Sequence, residues 1–137
     1  MKIILCGSIS KAEEILNVRD ELEQMGHTVE IPEGVKRPEI RAKINAANEE
    51  KADIKKTHDL IRGYFHKIKT SDAVLIVNPE KNGIPGYIGG NTFLEMAFAH
   101  ILEKPLYCLY ALPDMPYLSE MLAMQPVILN GKLRLIK

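Results

Sequence analysis

Apolar runs alternate with amphipathic segments along this chain, and that alternation sets the expected architecture. Lys2 to Cys6 is almost wholly apolar, the pattern of a central parallel strand buried on both faces. Gly7-Ser8-Ile9-Ser10 turns the chain into a helix running to about Met25, with Ile15, Val18, Leu22 and Met25 at helical spacing. Ser10 and Glu13 have the spacing of a capping box at its start, and Gly26 suits its end. Thr28 to Ile31 predicts a second strand stopped by Pro32, Ala73 to Val77 a third, and Leu106 to Tyr110 a fourth. Helical spacing returns at Leu60, Ile61, Tyr64, Phe65 and Ile68, then over Phe93 to Leu102, and briefly over Leu118 to Met124. Val127 to Leu129 and Leu133 to Ile136, split by Asn130-Gly131, read as a fifth strand or a terminal hairpin.

One segment breaks the alternation. Glu33 to Lys56 is highly charged, with only Ile40, Ile44 and Ala47 offering a weak helical stripe. It predicts a helical or flexible insertion serving as a lid, a dimerisation arm or a mobile loop. Elsewhere, strands alternating with helices imply parallel pairing through right-handed crossovers. The expected fold is a single α/β domain over residues 1–137. It is flavodoxin-like and doubly wound, with a mostly parallel five-stranded sheet in order 2-1-3-4-5 and helices on both faces. Such sheets bind ligands beyond the carboxyl ends of their strands, where the winding reverses. That crevice falls between the first and third strands and gathers Gly7 to Ser10 with Asn78 to Asn91.

Composition narrows the function classes. A chain of 137 residues, 46% hydrophobic and 26% charged, is long enough for one domain with a real core. Its formal net charge of zero excludes a global field for polymeric nucleic acid or an acidic membrane. The charge is uneven, however: Gly34 to Lys69 holds ten Lys and Arg against five Asp and Glu. That excess is either a solvated helical face or a basic rim for a phosphorylated ligand. Cys6 and Cys108 both fall in predicted strands and read as buried free thiols, and no CxxC or HxxxH spacing supports a metal site. His27, His58, His66 and His100 read as structural or exposed. With no signal-peptide pattern and no apolar run near the ~20 residues of a membrane span, the expectation is a cytoplasmic protein without a membrane partner.

The densest chemistry lies between the third strand and the helix after it. Gly89 and Gly90 let the backbone approach a ligand closely, and Tyr87, Asn91 and Thr92 flank them. Thr92 and Glu95 have capping-box spacing, so Glu95 either closes its own helix start or aims a carboxylate at a ligand held by the glycines. A carboxylate in the second role suits glycosyl transfer, because it can trap an oxocarbenium-like centre. No GxGxxG follows the first strand and no GxxxxGK[ST] occurs, so a dinucleotide or ATP phosphate loop is unsupported. Gly7, Ser8, Ile9 and Ser10 offer N–H groups and hydroxyls to a phosphate at a helix start, or Ser10 simply caps that helix. Asn78 is either a contact to a sugar hydroxyl or base edge, or a turn residue before Pro79.

At these residues the chain resembles the nucleoside 2-deoxyribosyltransferase superfamily, which includes 2′-deoxynucleoside 5′-monophosphate N-glycosidases. The resemblance is carried by Cys6-Gly-Ser-Ile9, by Ser71-Asp-Ala-Val-Leu-Ile-Val77, and by Gly89-Gly-Asn-Thr-Phe-Leu-Glu95 continuing to Ala99 and then Lys104-Pro105. Pro85 to Glu95 also echoes, imperfectly, the PGGxGTxxE motif of phosphoribohydrolases. The resemblance implies cleavage or exchange of the N-glycosidic bond of a nucleoside or nucleoside 5′-monophosphate. It puts Glu95 at the nucleophile's position and Ser8 near the 5′-phosphate, with no cofactor and a homodimer or larger homo-oligomer. Asn78 stands where the transferases usually carry an aspartate, and the charged insertion has no counterpart. A non-catalytic nucleotide sensor of the same fold is the alternative, and a flavin in the same crevice is a further one.

Overall fold

A computed structural model describes residues 1–42, 47–57 and 59–137 of the chain. The strands are β1 (Lys2–Gly7), β2 (Thr28–Glu30), β3 (Ala73–Val77), β4 (Leu106–Cys108) and β5 (Val127–Ile128). They form one sheet in the order β2-β1-β3-β4-β5, every neighbouring pair parallel. The helices are α1 (Ala12–Gln24), α2 (Glu33–Lys36), α3 (Pro38–Arg41), α4 (Asn48–Thr57), α5 (Leu60–Lys69), α6 (Gly90–Ile101) and α7 (Leu118–Ala123).

The period of two along each strand divides the core into two layers. Ile3, Leu5, Leu75 and Val77 face α1, through Ile15, Val18 and Leu22, and the C-terminal residues Leu133 and Ile136. Ile4, Cys6, Val74 and Ile76 face Tyr64 and Ile68 of α5, Met96 and Ala99 of α6, and Met121 of α7. A sheet buried on both faces needs near-continuous apolar strands, and β3 is buried at all five positions.

One expectation fails, and two open ones are decided. The Ser10–Glu13 capping box does not form: Ile9–Lys11 is a 3-10 turn, α1 starts at Ala12, and no side chain caps it. The Ser10 hydroxyl instead shares a 2.8 Å hydrogen bond with that of Ser8. Val127–Ile128 is the fifth strand, parallel to β4, while Leu133–Leu135 is a 3-10 turn that carries Leu133 into the core, so the hairpin alternative falls away. Cys6 and Cys108 are aligned across β3, both in register with Ile76. Two strand spacings of about 4.8 Å put their Cα atoms roughly 9–10 Å apart, beyond the ~7 Å reach of a disulfide, and both are free.

The charged insertion contains α2, α3 and α4. Its first part is pinned to the body by ion pairs. Lys67 of α5 contacts both Glu30 (3.1 Å) and Glu33, and Arg37 pairs with Glu33 at 3.0 Å. The hydrogen bond from Lys67 holds the Glu33 carboxyl below its ordinary range. Farther along, α4 packs on α5. Ile44, part of the weak stripe, and His58 lie outside the described residues.

Candidate functional site

A cavity of about 300 Å³ opens at the carboxyl ends of β1 and β3. This is the place where strand order reverses and where α/β sheets bind ligands. One wall is Gly7, Ser8 and Ile9, leaving β1; a second is Gly89, Gly90, Asn91 and Thr92, opening α6. Lys81 and Tyr87 come from the loop after β3. The insertion supplies a further wall through Ile40 of α3 and Lys51, Ile54 and Lys55 of α4, continued by Leu60 of α5.

Two glycines are required for this shape. A Cβ on Gly7 would stand 2.7 Å from the Val77 carbonyl oxygen, so only glycine lets β1 and β3 leave the sheet side by side here. Gly86 has φ +71°, and a Cβ there would come within 2.2 Å of the Ala111 carbonyl oxygen.

The floor is basic and hydroxylated. Lys81 Nζ donates to Ser8 Oγ at 2.8 Å and lies 5.1 Å above the Tyr87 ring centre, a cation–π arrangement. Burial, followed by the charges of Lys51 and Lys11, pushes the Lys81 ammonium below its ordinary pKa. An anion at this place would relieve that repulsion.

Glu95 does not cap its helix. The α6 helix begins at Gly90, with Gly89 as its N-cap, which puts Glu95 in the second turn. The residue is 6% exposed. Burial pushes its pKa up to about 8, against a hydrogen bond with the Cys6 thiol and the charge of Lys55, which both pull it down. Its own burial, and then the same carboxyl, raise the Cys6 thiol well above the ordinary range. Glu95 is not part of the cavity lining. It lies one helical turn beyond Asn91 and Thr92 on the same face, beside the residue preceding Gly7. It therefore stands one layer behind the wall that Thr92 and Gly7 form, within reach of the charge of Lys55, a lining residue.

Asn78 has a structural task. Its Nδ2 donates to the carbonyls of Gly86 (3.3 Å) and Tyr110 (3.0 Å), and its Oδ1 accepts from Tyr110 N–H at 3.0 Å. The buried amide ties the exit of β3 to the exit of β4 and lies outside the lining. Ser10, exposed, reaches the site through Ser8. Of the residues singled out from sequence, Gly7, Ser8, Ile9, Tyr87, Gly89, Gly90, Asn91 and Thr92 meet around the cavity, whereas Ser10, Asn78 and Glu95 stand behind it.

Sequence reasoning missed Lys51, Ile54, Lys55 and Lys81. The first three carry a signal in hindsight: two lysines at i, i+4 with an isoleucine between them, inside the segment of basic excess. Lys81 carries none beyond its place between β3 and the glycines. His27 Nδ1 lies 3.2 Å from the amino terminus, and His66 and His100 are exposed. Among the described residues no group of three or more His, Cys, Asp or Glu could hold a metal ion, and no helix is long and apolar enough to cross a membrane. No family model, no curated protein and no solved structure matches the chain.

Proposed function

We propose that this protein cleaves or exchanges the N-glycosidic bond of a nucleoside 5′-phosphate, with Glu95 acting at C1′. The observation that carries the reading is the pairing of two features at one crevice. A basic, hydroxyl-bearing pocket formed by Ser8 and Lys81 lies beside a buried carboxyl one helical turn behind the glycine-rich wall. The phosphate rests on Ser8, Lys81 and the N–H groups of the loop after β1, and the sugar lies against Gly89 to Thr92. For the reaction the Glu95 side chain has to turn past Thr92 into the cavity; its carboxylate then attacks C1′, and the C1′–N bond breaks with its electron pair leaving on the base, which takes a proton from water. Water then attacks C1′ of the glycosyl ester, releasing Glu95 and completing a hydrolase; a second base in place of water completes a transferase.

No metal or redox cofactor enters these steps. Desolvation keeps the carboxyl largely protonated at neutral pH in the empty protein, so the attacking form grows as pH rises toward 8. Lys55, which lines the pocket and favours the ionised form, is the group that couples ligand binding to that ionisation.

The test is a panel of nucleosides and 5′-phosphates, with free base resolved by chromatography. Release is expected from phosphorylated substrates, falling by at least about 10³-fold in Glu95→Ala. Undiminished release by that variant removes Glu95 from the mechanism.

A second reading, a nucleotide sensor of the same fold, is favoured by Glu95 standing outside the lining and by Asn78 being fully engaged. A nucleotide that raises Tm while no free base appears selects it. The proposal includes a homo-oligomer, because Ile101, Leu122 and Val127 are large apolar residues left 77%, 59% and 53% exposed. Sedimentation at the mass of one 15.4 kDa chain would contradict that part.

A further inference from the structure

We infer that the cavity receives two adjacent phosphates, as in a nucleoside 5′-diphosphate or triphosphate, and that Lys51 on α4 reads the second one. The inference rests on the nucleotide reading above and extends it to a residue of the charged insertion. Lys51, Lys55 and Lys81 are all half-buried and line one cavity. Among the described residues, none of the three lies within 4 Å of a carboxylate. Lys67, also half-buried, shows the contrasting arrangement, held by both Glu30 and Glu33. A chain with no net charge has thus gathered ammonium groups in a single cleft without placing acids between them.

Their number selects the ligand. Lys51, Lys55 and Lys81 all line the cavity, and its lining holds no carboxylate among the described residues. A monophosphate brings at most two negative charges and leaves one of these half-buried ammoniums uncompensated, whereas a diphosphate brings three. Position agrees with charge. Lys81 is bonded to Ser8 at 2.8 Å, which marks the first phosphate. Lys51 comes from the wall that α4 supplies, on the helix face that also presents Lys55 one turn later. The cavity itself is of about 300 Å³, near the lower end of small-molecule sites.

Inorganic anions test this without requiring any glycosidic chemistry. Inorganic phosphate and pyrophosphate would be titrated by calorimetry into the full chain at constant ionic strength. The wild type, Lys51→Gln, Lys51→Arg and, as a remote control, the exposed Lys69→Gln would be compared, after ligand-free melting shows each variant folded. The expected result is pyrophosphate binding at least about tenfold tighter than phosphate in the wild type, Lys51→Arg and Lys69→Gln, with the ratio falling to about twofold or less in Lys51→Gln. Equal binding of the two anions by the wild type, no binding of either, or an equal loss for both in Lys51→Gln would overturn the inference. Base release from nucleoside 5′-monophosphates, measured separately, shows whether the glycosidic reading survives such a failure.

Discussion

Glu95 is held at a cost to the fold. Its pKa is raised from the ordinary carboxylate range to about 8 because ionisation would place a charge in a desolvated position. The folded state therefore binds this proton more tightly than the unfolded chain does. The contribution is fully present below the ordinary carboxylate pKa and is lost as pH rises to about 8. Replacing the carboxyl by an amide removes that dependence. Glu95→Gln is expected to match the wild type near pH 5 and to be more stable at pH 8.5 by up to about 4 kcal/mol, read by urea denaturation at both pH values. Equal stability at both would show that the carboxyl is not desolvated. Asn78 lies at the other extreme, a polar group used wholly for structure. Asn78→Ala strands the Tyr110 N–H in a part-buried setting and is expected to lower stability by about 2–3 kcal/mol, measured by the same method. From sequence, Glu95 was recognisable as unusual, but the start of its helix was misplaced. Reading Thr92 as the cap put Glu95 in the first turn, whereas the glycines themselves begin the helix. The Asn78 hydrogen bonds join loops about 30 residues apart, which no local pattern records.

At the level of elements, the loop between β3 and α6 owes its path to one backbone position. At Gly86, a positive φ and the close Ala111 carbonyl act together, so Gly86→Ala combines strain with a clash. It is expected to lower Tm by several degrees, at a cost of roughly 2–3 kcal/mol, and to weaken anion binding; an unchanged Tm would show that the loop has room to shift. Elements with strong periodicity were readable: α1, α5 and α6 and the five strands all stand where apolar spacing put them, to within a few residues. The insertion was not, because its helices are short and few of their positions are buried. Its role comes from placement, with α4 standing against α5 and turning Lys51 and Lys55 toward the crevice. A sequence shows that those lysines share a helix face but not what that face meets.

For the whole molecule, sheet order followed from the alternation of strand and helix, and the location of the crevice followed from sheet order. The same topology decides the cysteines. With β3 between them, Cys6 and Cys108 remain two buried thiols, so Tm is expected to be unchanged by reductant and thiol titration of the denatured chain to return two groups. A reductant-sensitive Tm would contradict the strand register.

The central claim is that Glu95, ionised, attacks C1′ of a nucleoside 5′-phosphate. The most direct measurement is kcat/KM for base release against pH, over roughly pH 5.5 to 9.5, with Glu95→Gln as reference. The account predicts a rate that rises with pH to a plateau above about 8 and is lost in Glu95→Gln. A rate that is flat across that range in the wild type, or retained by the amide variant, would contradict it.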